Sequence, residues 1–439
     1  MPKFIITTLG SKVNQAESET IARDLTTCRW SAVGEDETAD ICIVNTCTVT
    51  QRASMQSRQA VRQAIRANPN ARIVVTGCYA QTEAEVLRKI KGVHEVIGHA
   101  EKHRIARRLA ASSQCESQGP ESQSNIDTRK FACPPPVDPT EGHRTRPFLK
   151  IQDGCDAFCT YCIVPYARGR SRSISLKSVL EQIKQLADNG YHEVVLTGIH
   201  IGNYGKDLEP RTSLLDLLKR IHTQQPIARI RLSSIEPLEL SPEIIKCVAT
   251  SEVLCPHFHI PLQSADISIL KKMHRPYTPE YFKDLVLHIR RTLPQAAIGV
   301  DVLIGFPGET QAAFNNTYRL IAELPVSYLH VFPFSPRPGT PASTFNNKVS
   351  IEVIKKRCQK MRALGSEKRM QFYRQFIGQQ TQVLIESSRD SKTGLLKGTA
   401  ANYLQVLIRA DDEMKNKIVA VEIKKIHDHR LYAKICSQT

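Results

Sequence analysis

Three cysteines that lie close together are the residues of this sequence best suited to chemistry. Cys155, Cys159 and Cys162 stand at C-x3-C-x2-C spacing in one short segment after a predicted strand. Three thiolates can hold three irons of a cubane iron–sulfur cluster and leave the fourth iron open to a ligand. The alternative is a zinc site, but structural zinc usually takes four ligands in paired C-x2-C groups. The spacing therefore favours a cluster with an open iron.

A second set of candidate ligands follows three predicted strands near the N-terminus. Ser11, Cys47 and Cys78 each come directly after one of these strands. Because the carboxyl ends of parallel strands meet at one edge of a sheet, two thiols and a hydroxyl are expected to face one crevice. The alternative is that the two cysteines are simply small buried residues. Cys42 lies inside its strand at odd spacing from Cys47, which predicts that its side chain points to the other face.

The elements that must position these residues alternate between strands and helices. Predicted strands over residues 3–9, 41–46 and 72–76 with helices between them indicate a parallel doubly wound N-terminal domain over residues 1–111. A segment rich in Ser, Gln, Glu and Pro predicts a linker over 112–146.

Two further domains are predicted after the linker, so the fold class is α/β with a small β domain at the end. Strand–helix units over 147–376 predict a full or partial (β/α) barrel. Short strands over 377–439 predict a small β-barrel. The strands predicted for the larger barrel cover residues 148–152, 193–197, 229–233, 257–262, 298–304 and 328–334.

Composition narrows the class of protein. The 439 residues carry a formal net charge of +17, which favours a polyanionic partner, nucleic acid first, although a basic enzyme without such a partner is the alternative. The hydrophobic fraction of 41% is that of a globular protein. No apolar stretch approaches the length needed to span a membrane. A cytoplasmic protein with reduced cysteines and no membrane partner is expected.

The cysteine segment resembles that of radical S-adenosylmethionine enzymes. In that superfamily the three cysteines hold a 4Fe–4S cluster whose open iron chelates the cofactor, and reduction yields a 5′-deoxyadenosyl radical. The resemblance implies that Cys155, Cys159 and Cys162 are the catalytic cluster ligands, with Phe158 and Tyr161 shielding the cluster or packing on the adenine. Further cofactor contacts are expected at the carboxyl ends of the barrel strands, from Thr197, Gly198, Ser234, Glu236, Gln263, Gly305 and Pro307.

The whole chain resembles the methylthiotransferases within that superfamily. The stretches that carry the resemblance are residues 8–15 (TLGSKVNQ), 45–50 (NTCTVT), 166–172 (YARGRSR), 196–202 (LTGIHIG), 302–309 (VLIGFPGE) and 334–340 (FSPRPGT). The resemblance implies an N-terminal domain with three cluster-binding cysteines, a radical barrel and a C-terminal RNA-binding TRAM domain. It is closest to the members that act at C2 of N6-threonylcarbamoyladenosine beside the tRNA anticodon.

The sequence departs from the family at Ser11, where the family has cysteine. A hydroxyl is a poor ligand for soft iron sites because its pKa is far above that of a thiol. The serine could be an engineered substitution or a natural variant that uses two cysteines and another ligand, or the second cluster could be lost. We expect a second 4Fe–4S cluster in a weakened or altered form at Cys47 and Cys78.

Basic and aromatic residues are the candidates for RNA contact. Arg168, Arg170 and Arg172 follow the cluster segment, and Tyr403 lies in the TRAM-like domain. Single-stranded RNA loops are bound by base stacking combined with phosphate contacts, which suits an anticodon stem–loop. A stripe of arginines at every fourth position on one predicted helix, residues 58, 62 and 66, is either part of this surface or a solvated helix face.

The expected function is radical insertion of a methylthio group at C2 of N6-threonylcarbamoyladenosine in tRNA. The resemblance also implies an electron donor such as flavodoxin or ferredoxin. The alternatives within the family are isopentenyladenosine in tRNA or a ribosomal-protein aspartate as substrate. An alternative of another class is a non-catalytic RNA-binding metalloprotein whose cysteines are structural.

Overall fold

The computed structural model describes residues 1–34, 37–112 and 144–436, which form two compact units. The described residues of the first unit are 1–34, 37–112, 152–174 and 335–343, and those of the second are 144–151, 175–334 and 344–436. The predicted linker over 112–146 lies almost entirely outside the described residues. The predicted domain boundaries stay predictions.

The first unit is built on a five-stranded parallel sheet with the order β2-β1-β3-β4-β5. Its strands are β1 (Lys3–Thr8), β2 (Ser31–Ala32), β3 (Ile41–Thr46), β4 (Arg72–Gly77) and β5 (Glu95–Val96). Its helices are α1 (Lys12–Thr27), α2 (Gln51–Ala67), α3 (Cys78–Thr82), α4 (Ala84–Arg88) and α5 (Ile105–Ser112). Alternate strand residues feed two apolar cores, one shared with α1 and α5 and the other with α2 and α4. The predicted doubly wound sheet is confirmed.

The cysteine segment of the first unit is closed by a short antiparallel pair. After β6 (Phe148–Lys150), which belongs to the second unit, β7 (Gln152–Asp153) pairs with β8 (Arg172–Ser173) around helix α6 (Val164–Arg168). The strand predicted over 148–152 is therefore two strands. The chain leaves its parallel neighbour after Ile151, whose N–H still donates to the Thr197 carbonyl, and then pairs with β8.

The second unit contains six parallel strands arranged as a partial barrel. The strand orders are β10-β9-β6 and β11-β12-β13, and a bridge between Ser234 and His259 joins the two sheets. The strands are β9 (Glu193–Thr197), β10 (Arg229–Leu232), β11 (His257–Gln263), β12 (Ala297–Ile304) and β13 (Tyr328–Pro333). The helices are α7 (Leu176–Asp188), α8 (Leu214–Gln224), α9 (Pro242–Thr250), α10 (Ile267–Lys272), α11 (Pro279–Thr292), α12 (Gln311–Glu323) and α13 (Ile351–Arg374).

Most helices begin directly after a polar side chain that accepts a hydrogen bond from the first turn. Such a cap satisfies a backbone N–H that has no partner within the helix. The capping residues are Ser11, Thr50, Ser175, Ser213, Ser241, Asp266, Thr278, Thr310 and Ser350. Short 3-10 helices cover His99–Arg104, Ile201–Asn203, Pro237–Glu239, Pro341–Ser343 and Asp412–Met414.

The second unit ends in a closed five-stranded barrel with the order β14-β15-β16-β18-β17. Its strands are β14 (Gln380–Arg389), β15 (Leu396–Ala400), β16 (Gln405–Ile408), β17 (Ile418–His427) and β18 (Arg430–Ile435). The apolar pattern of β15 is interrupted by Lys397, Gly398 and Thr399. A Cβ on Gly398 would lie 2.9 Å from Val383 Cγ2, so this strand needs its glycine. Among the described helices, none has the length and apolar character needed to cross a bilayer.

Candidate active site

The carboxyl ends of β1, β3 and β4 bring Ser11, Cys47 and Cys78 to one edge of the first unit's sheet. The three strands are parallel neighbours, as the sequence analysis expected. A Cβ on Gly10, which has φ +100°, would lie 2.8 Å from the Sγ of Cys47, so the loop after β1 presses directly on this thiol. Cys47 and Cys78 are 6% and 4% exposed. The crevice therefore presents two buried thiols.

Ser11 has a structural task at this edge. Its Oγ caps helix α1 by accepting a hydrogen bond from the Asn14 N–H at 3.4 Å. The residue is exposed, unlike the two cysteines. The two cysteines at this edge therefore fit an iron–sulfur group held by two thiolates. At the third position, the Ser11 hydroxyl oxygen already accepts the hydrogen bond that caps α1.

Cys42 is not part of this edge. It lies in the apolar core shared with Val44 and Val61, on the face covered by α2 and α4. Burial raises the pKa of the Cys42 thiol to about 11. Its placement agrees with the alternation of side chains along a strand, and its thiol is held in the neutral form.

Arg168 links the cysteine segment to Cys78 within the first unit. Its Nε lies 3.2 Å from the Sγ of Cys78, and its Nη1 donates to Glu17 and to Asp153 at 2.9 Å each. Its Nη2 donates to the Asn14 side-chain oxygen. Because Arg168 is only 3% exposed, the sequence-based assignment of this residue to RNA contact is wrong, and its guanidinium serves the interior.

A buried charge network holds Arg168 in place. Lys102 also pairs with Glu17, at 2.5 Å, and His99 contacts Asp153 at 3.1 Å. Burial alone would lower the pKa of Arg168, but Cys78, Glu17 and Asp153 together raise it well above its usual value. The guanidinium is therefore a fixed positive charge beside the Cys78 sulfur.

The pKa of Cys47 is raised, first by burial and further by the neighbouring Cys78, while Arg168 opposes the shift. The protein surroundings of Cys47 therefore favour its protonated thiol. Because iron binds the thiolate, loading the site has to release this proton. The positive charge of Arg168 offsets part of the cost of placing thiolates in the interior.

The loop of Cys155, Cys159 and Cys162 has a constrained backbone. Gly154 has φ +75°, and a Cβ there would lie 1.9 Å from the Arg170 carbonyl oxygen, so the loop closes only with glycine. Phe158, between the first two cysteines, also has a positive φ of +45°. Backbone conformations of this kind cluster at functional sites. Three thiols on one tight loop fit the donor set of an open-iron cluster.

The aromatic and basic residues around this loop differ in exposure. Phe158 is 38% exposed and makes an edge contact with Tyr166, and the Arg170 guanidinium lies 5.5 Å from the Phe158 ring centroid. Tyr161 is half-buried. The Arg170 side chain is 78% exposed, whereas that of Arg172 is 25% exposed and donates to the Arg168 carbonyl. Among the three arginines proposed for RNA, Arg170 is the most accessible.

The residues predicted to contact S-adenosylmethionine lie at the carboxyl ends of β9 to β12 or in the loops that follow. These residues are Thr197, Gly198, Ser234, Glu236, Gln263, Gly305 and Pro307. A Cβ on Gly305, which has φ +83°, would lie 2.3 Å from Ile354 Cγ1. The Glu236 carboxylate is already paired with Arg275. Their contact with the cofactor stays a prediction.

Sequence reasoning missed a polar cluster on one face of β11, β12 and β13. The Tyr328 hydroxyl lies 2.7 Å from His257 Nε2 and 3.2 Å from His259 Nδ1. The tyrosine side chain reaches both histidines because it passes over Gly299. A Cβ on Gly299 would lie 2.2 Å from the tyrosine ring. His259 Nε2 in turn lies 2.7 Å from the Asp301 carboxylate. The two histidines at alternate positions in a buried strand were the available signal.

Tyr403 lies where the terminal β-barrel meets the partial barrel of the second unit. It is half-buried with φ +67°, and its ring centroid lies 4.4 Å from that of His257. Arg231 donates to the Ala400 and Ala401 carbonyls and lies 5.2 Å from the Tyr403 ring centroid. These contacts occupy part of the Tyr403 ring, and its role in RNA binding stays a prediction.

Comparisons with known proteins agree with this geometry. Residues 3–98 match the family described as uncharacterized protein family UPF0004, and residues 149–321 match the radical SAM superfamily. In overall structure the chain is similar to the radical S-adenosylmethionine methyltransferase TsrM of Kitasatospora setae. The TM-score is 0.56 at 16% identity, with 78% of this chain and 75% of that chain covered. This likeness confirms the fold.

Two curated relatives cover nearly the full chain. Threonylcarbamoyladenosine tRNA methylthiotransferase MtaB of Bacillus subtilis is 38% identical over 95% of this chain and 93% of its own length. The tRNA-2-methylthio-N(6)-dimethylallyladenosine synthase of Pelotomaculum thermopropionicum is 33% identical over 96% of this chain and 95% of its own length. This chain belongs to the family of radical S-adenosylmethionine methylthiotransferases.

Proposed function

We propose that this protein inserts a methylthio group at C2 of N6-threonylcarbamoyladenosine in tRNA. The observation that carries the proposal is the contact between Arg168 and Cys78, since Arg168 lies six residues after Cys162 in sequence. Both cysteine sites thus belong to one compact unit, and the guanidinium beside Cys78 also donates to Asp153, which lies two residues before Cys155. The relatives named as threonylcarbamoyladenosine enzymes support this nucleoside as the substrate.

Cys155, Cys159 and Cys162 are the residues that would hold the 4Fe–4S cluster of the radical SAM superfamily. When bound and reduced, this cluster and S-adenosylmethionine supply a radical strong enough to remove hydrogen from an aromatic carbon. The protein's own part is positional. Gly154 closes the loop, and Phe158 places a partly exposed ring between the first two cysteines.

Cys47 and Cys78 would hold the second, sulfur-supplying group. Arg168 keeps a positive charge beside the Cys78 sulfur, and Glu17 and Asp153 hold that charge in place. Since Ser11 offers a capping hydroxyl instead of a thiol, we propose an altered auxiliary cluster held by two thiolates. Iron and sulfide counting on anaerobically reconstituted protein tests this point, and eight irons per chain with full turnover would contradict it.

The RNA partner is proposed to be the anticodon stem–loop of tRNA, contacted by Arg170, Arg172 and Tyr403. The net charge of +17 supports a nucleic-acid partner. Reduction of the cluster calls for an electron donor, for which a flavodoxin or a ferredoxin is proposed. A tRNA substrate also supports a cytoplasmic location.

Nucleoside analysis of tRNA from a strain that lacks this gene tests the proposed substrate. The 2-methylthio form of threonylcarbamoyladenosine should disappear and return when the gene is restored. Persistence of this nucleoside in the absence of a paralogue would contradict the proposal. The dimethylallyladenosine relatives make isopentenyladenosine the second candidate, and loss of its methylthio form instead would assign that substrate.

A further inference from the structure

A basic cleft lies on the first unit between α2 and the end of α4. Its volume is about 490 Å³. Four cations line it, namely Arg62, Arg66, Lys89 and Lys91, and all four are exposed. In the described part of the chain, none of the four pairs with a carboxylate, whereas the neighbouring Arg88 is paired with Glu85. The cleft is therefore a concentrated positive charge without a paired carboxylate among the described residues.

The floor of the cleft is aliphatic. Ile65, Val86 and Ile90 line it, and Val86 is 40% exposed. The described lining residues are cations and aliphatic side chains, and none of them is an amide, a carboxylate or an aromatic ring that could read a base edge. Contacts from Lys and Arg to phosphate position a nucleic acid without reading its sequence. The lining suits a sugar–phosphate backbone.

The cleft continues a basic stripe that begins at the cysteine edge. Arg58 donates to the hydroxyl of Tyr79, the residue after Cys78, at 2.6 Å. Arg62 and Arg66 follow at the fourth and eighth positions along α2, so the stripe extends about 12 Å away from that edge at 1.5 Å per residue. An RNA whose target nucleotide lies near Cys78 would have its backbone within reach of the stripe.

We infer that the stripe and cleft bind the sugar–phosphate backbone of tRNA beyond the target nucleotide and recruit it without selecting its sequence. The inference rests on the proposed function for its RNA partner. Of the two interpretations of the arginine stripe, it adopts the binding surface. It predicts an effect on tRNA affinity and on KM, with kcat preserved.

The test is equilibrium binding of tRNA at several salt concentrations. The variant Arg62→Gln/Lys89→Gln removes two cleft cations, and Arg29→Gln/Arg107→Gln removes two exposed cations elsewhere on the same unit as a matched control. The cleft variant should bind at least tenfold more weakly near 0.1 M salt, with a salt slope reduced by about 1.4 to 1.8, because each lost phosphate contact removes roughly 0.7 to 0.9. The control should stay close to wild type.

Three results would overturn the inference. One is unchanged affinity in the cleft variant, and another is equal weakening in the control, which would reflect net charge alone. The third is a cleft variant that weakens tRNA carrying threonylcarbamoyladenosine much more than tRNA without it, because the surface would then be reading the base. Binding is measured without turnover, so failure of the proposed reaction would leave the binding result interpretable.

Discussion

The Nε of Arg168 lies 3.2 Å from the Sγ of Cys78, although the two residues are 90 positions apart in the chain. One residue follows the three-cysteine loop and the other follows a strand of the N-terminal sheet. Their contact ties the loop that would generate the radical to the thiols that would supply sulfur. Glu17 and Asp153 both accept hydrogen bonds from Nη1 of the same guanidinium.

Replacing Arg168 should damage both the fold and the sulfur site. Arg168→Gln removes one buried cation shared by Glu17 and Asp153, which keep Lys102 and His99 as close partners, and breaking a buried pair in this way costs about 3 to 5 kcal/mol. Urea denaturation of the apoprotein measures this cost, and iron analysis after reconstitution should show loss of iron. Arg170→Gln is the control because its side chain is 78% exposed. Equal stability of the two variants would show that the network does not hold the unit together.

Two substitutions of Ser11 test its helix-capping role and its effect on iron binding separately. Ser11→Ala removes the cap of α1 and should cost about 1 kcal/mol of stability. Ser11→Cys should increase bound iron and methylthio product in anaerobic turnover because it restores a thiol at the crevice. Equal product from the wild-type chain and Ser11→Cys would mean that position 11 is dispensable here.

Gly154 and Gly378 have similar positive φ values but differ in the space around them. Replacing each with alanine therefore separates the cost of backbone strain from that of a steric clash. Gly154→Ala should prevent assembly of the cluster at the three-cysteine loop, because the new Cβ would meet the Arg170 carbonyl at 1.9 Å. Gly378→Ala, at φ +80° with nothing within 4 Å, should cost only about 1 to 2 kcal/mol for the left-handed conformation and keep the cluster. Electron paramagnetic resonance of the reduced proteins reports the cluster. An intact signal in Gly154→Ala would refute the steric argument.

Asp301 should make stability depend on pH. Burial alone would raise its pKa, but hydrogen bonds from His259 and His330 outweigh burial and lower the pKa below its ordinary value of 3.8. The folded protein thus binds this proton less tightly than the unfolded chain. The stabilisation is present above the ordinary pKa and is lost as pH falls through the folded one.

Asp301→Asn should therefore destabilise the apoprotein at pH 7, and the difference from wild type should shrink as pH falls below about 4. Urea midpoints measured for both proteins at pH 7, 5, 3.5 and 2.5 test this expectation. A difference that stays constant over that range would mean that the carboxylate's ionisation does not contribute.

The sheet edges were predictable from sequence because strand periodicity and parallel topology determine where strand ends meet. Cys47 and Cys78 are brought together by the register of β3 and β4, which the buried runs of both strands already indicated. The three-cysteine loop was predictable from spacing alone.

The interior role of Arg168 was not predictable in the same way. Its partners Glu17 and Asp153 lie 151 and 15 residues away, and no local pattern distinguishes a buried arginine from a surface one. The basic run of residues 168, 170 and 172 suggested one shared surface, whereas their side chains are respectively 1%, 78% and 25% exposed. Arg168 is buried because its guanidinium pairs with the carboxylates of Glu17 and Asp153.

Anaerobic turnover of the reconstituted enzyme tests whether Cys155, Cys159 and Cys162 serve radical formation while Cys47 and Cys78 serve sulfur supply. With tRNA carrying threonylcarbamoyladenosine, Cys47→Ser/Cys78→Ser should still convert S-adenosylmethionine to 5′-deoxyadenosine but form no methylthio nucleoside. Cys155→Ser should lose both products. Methylthio product from the double variant at the wild-type level would show that Cys47 and Cys78 do not supply the sulfur.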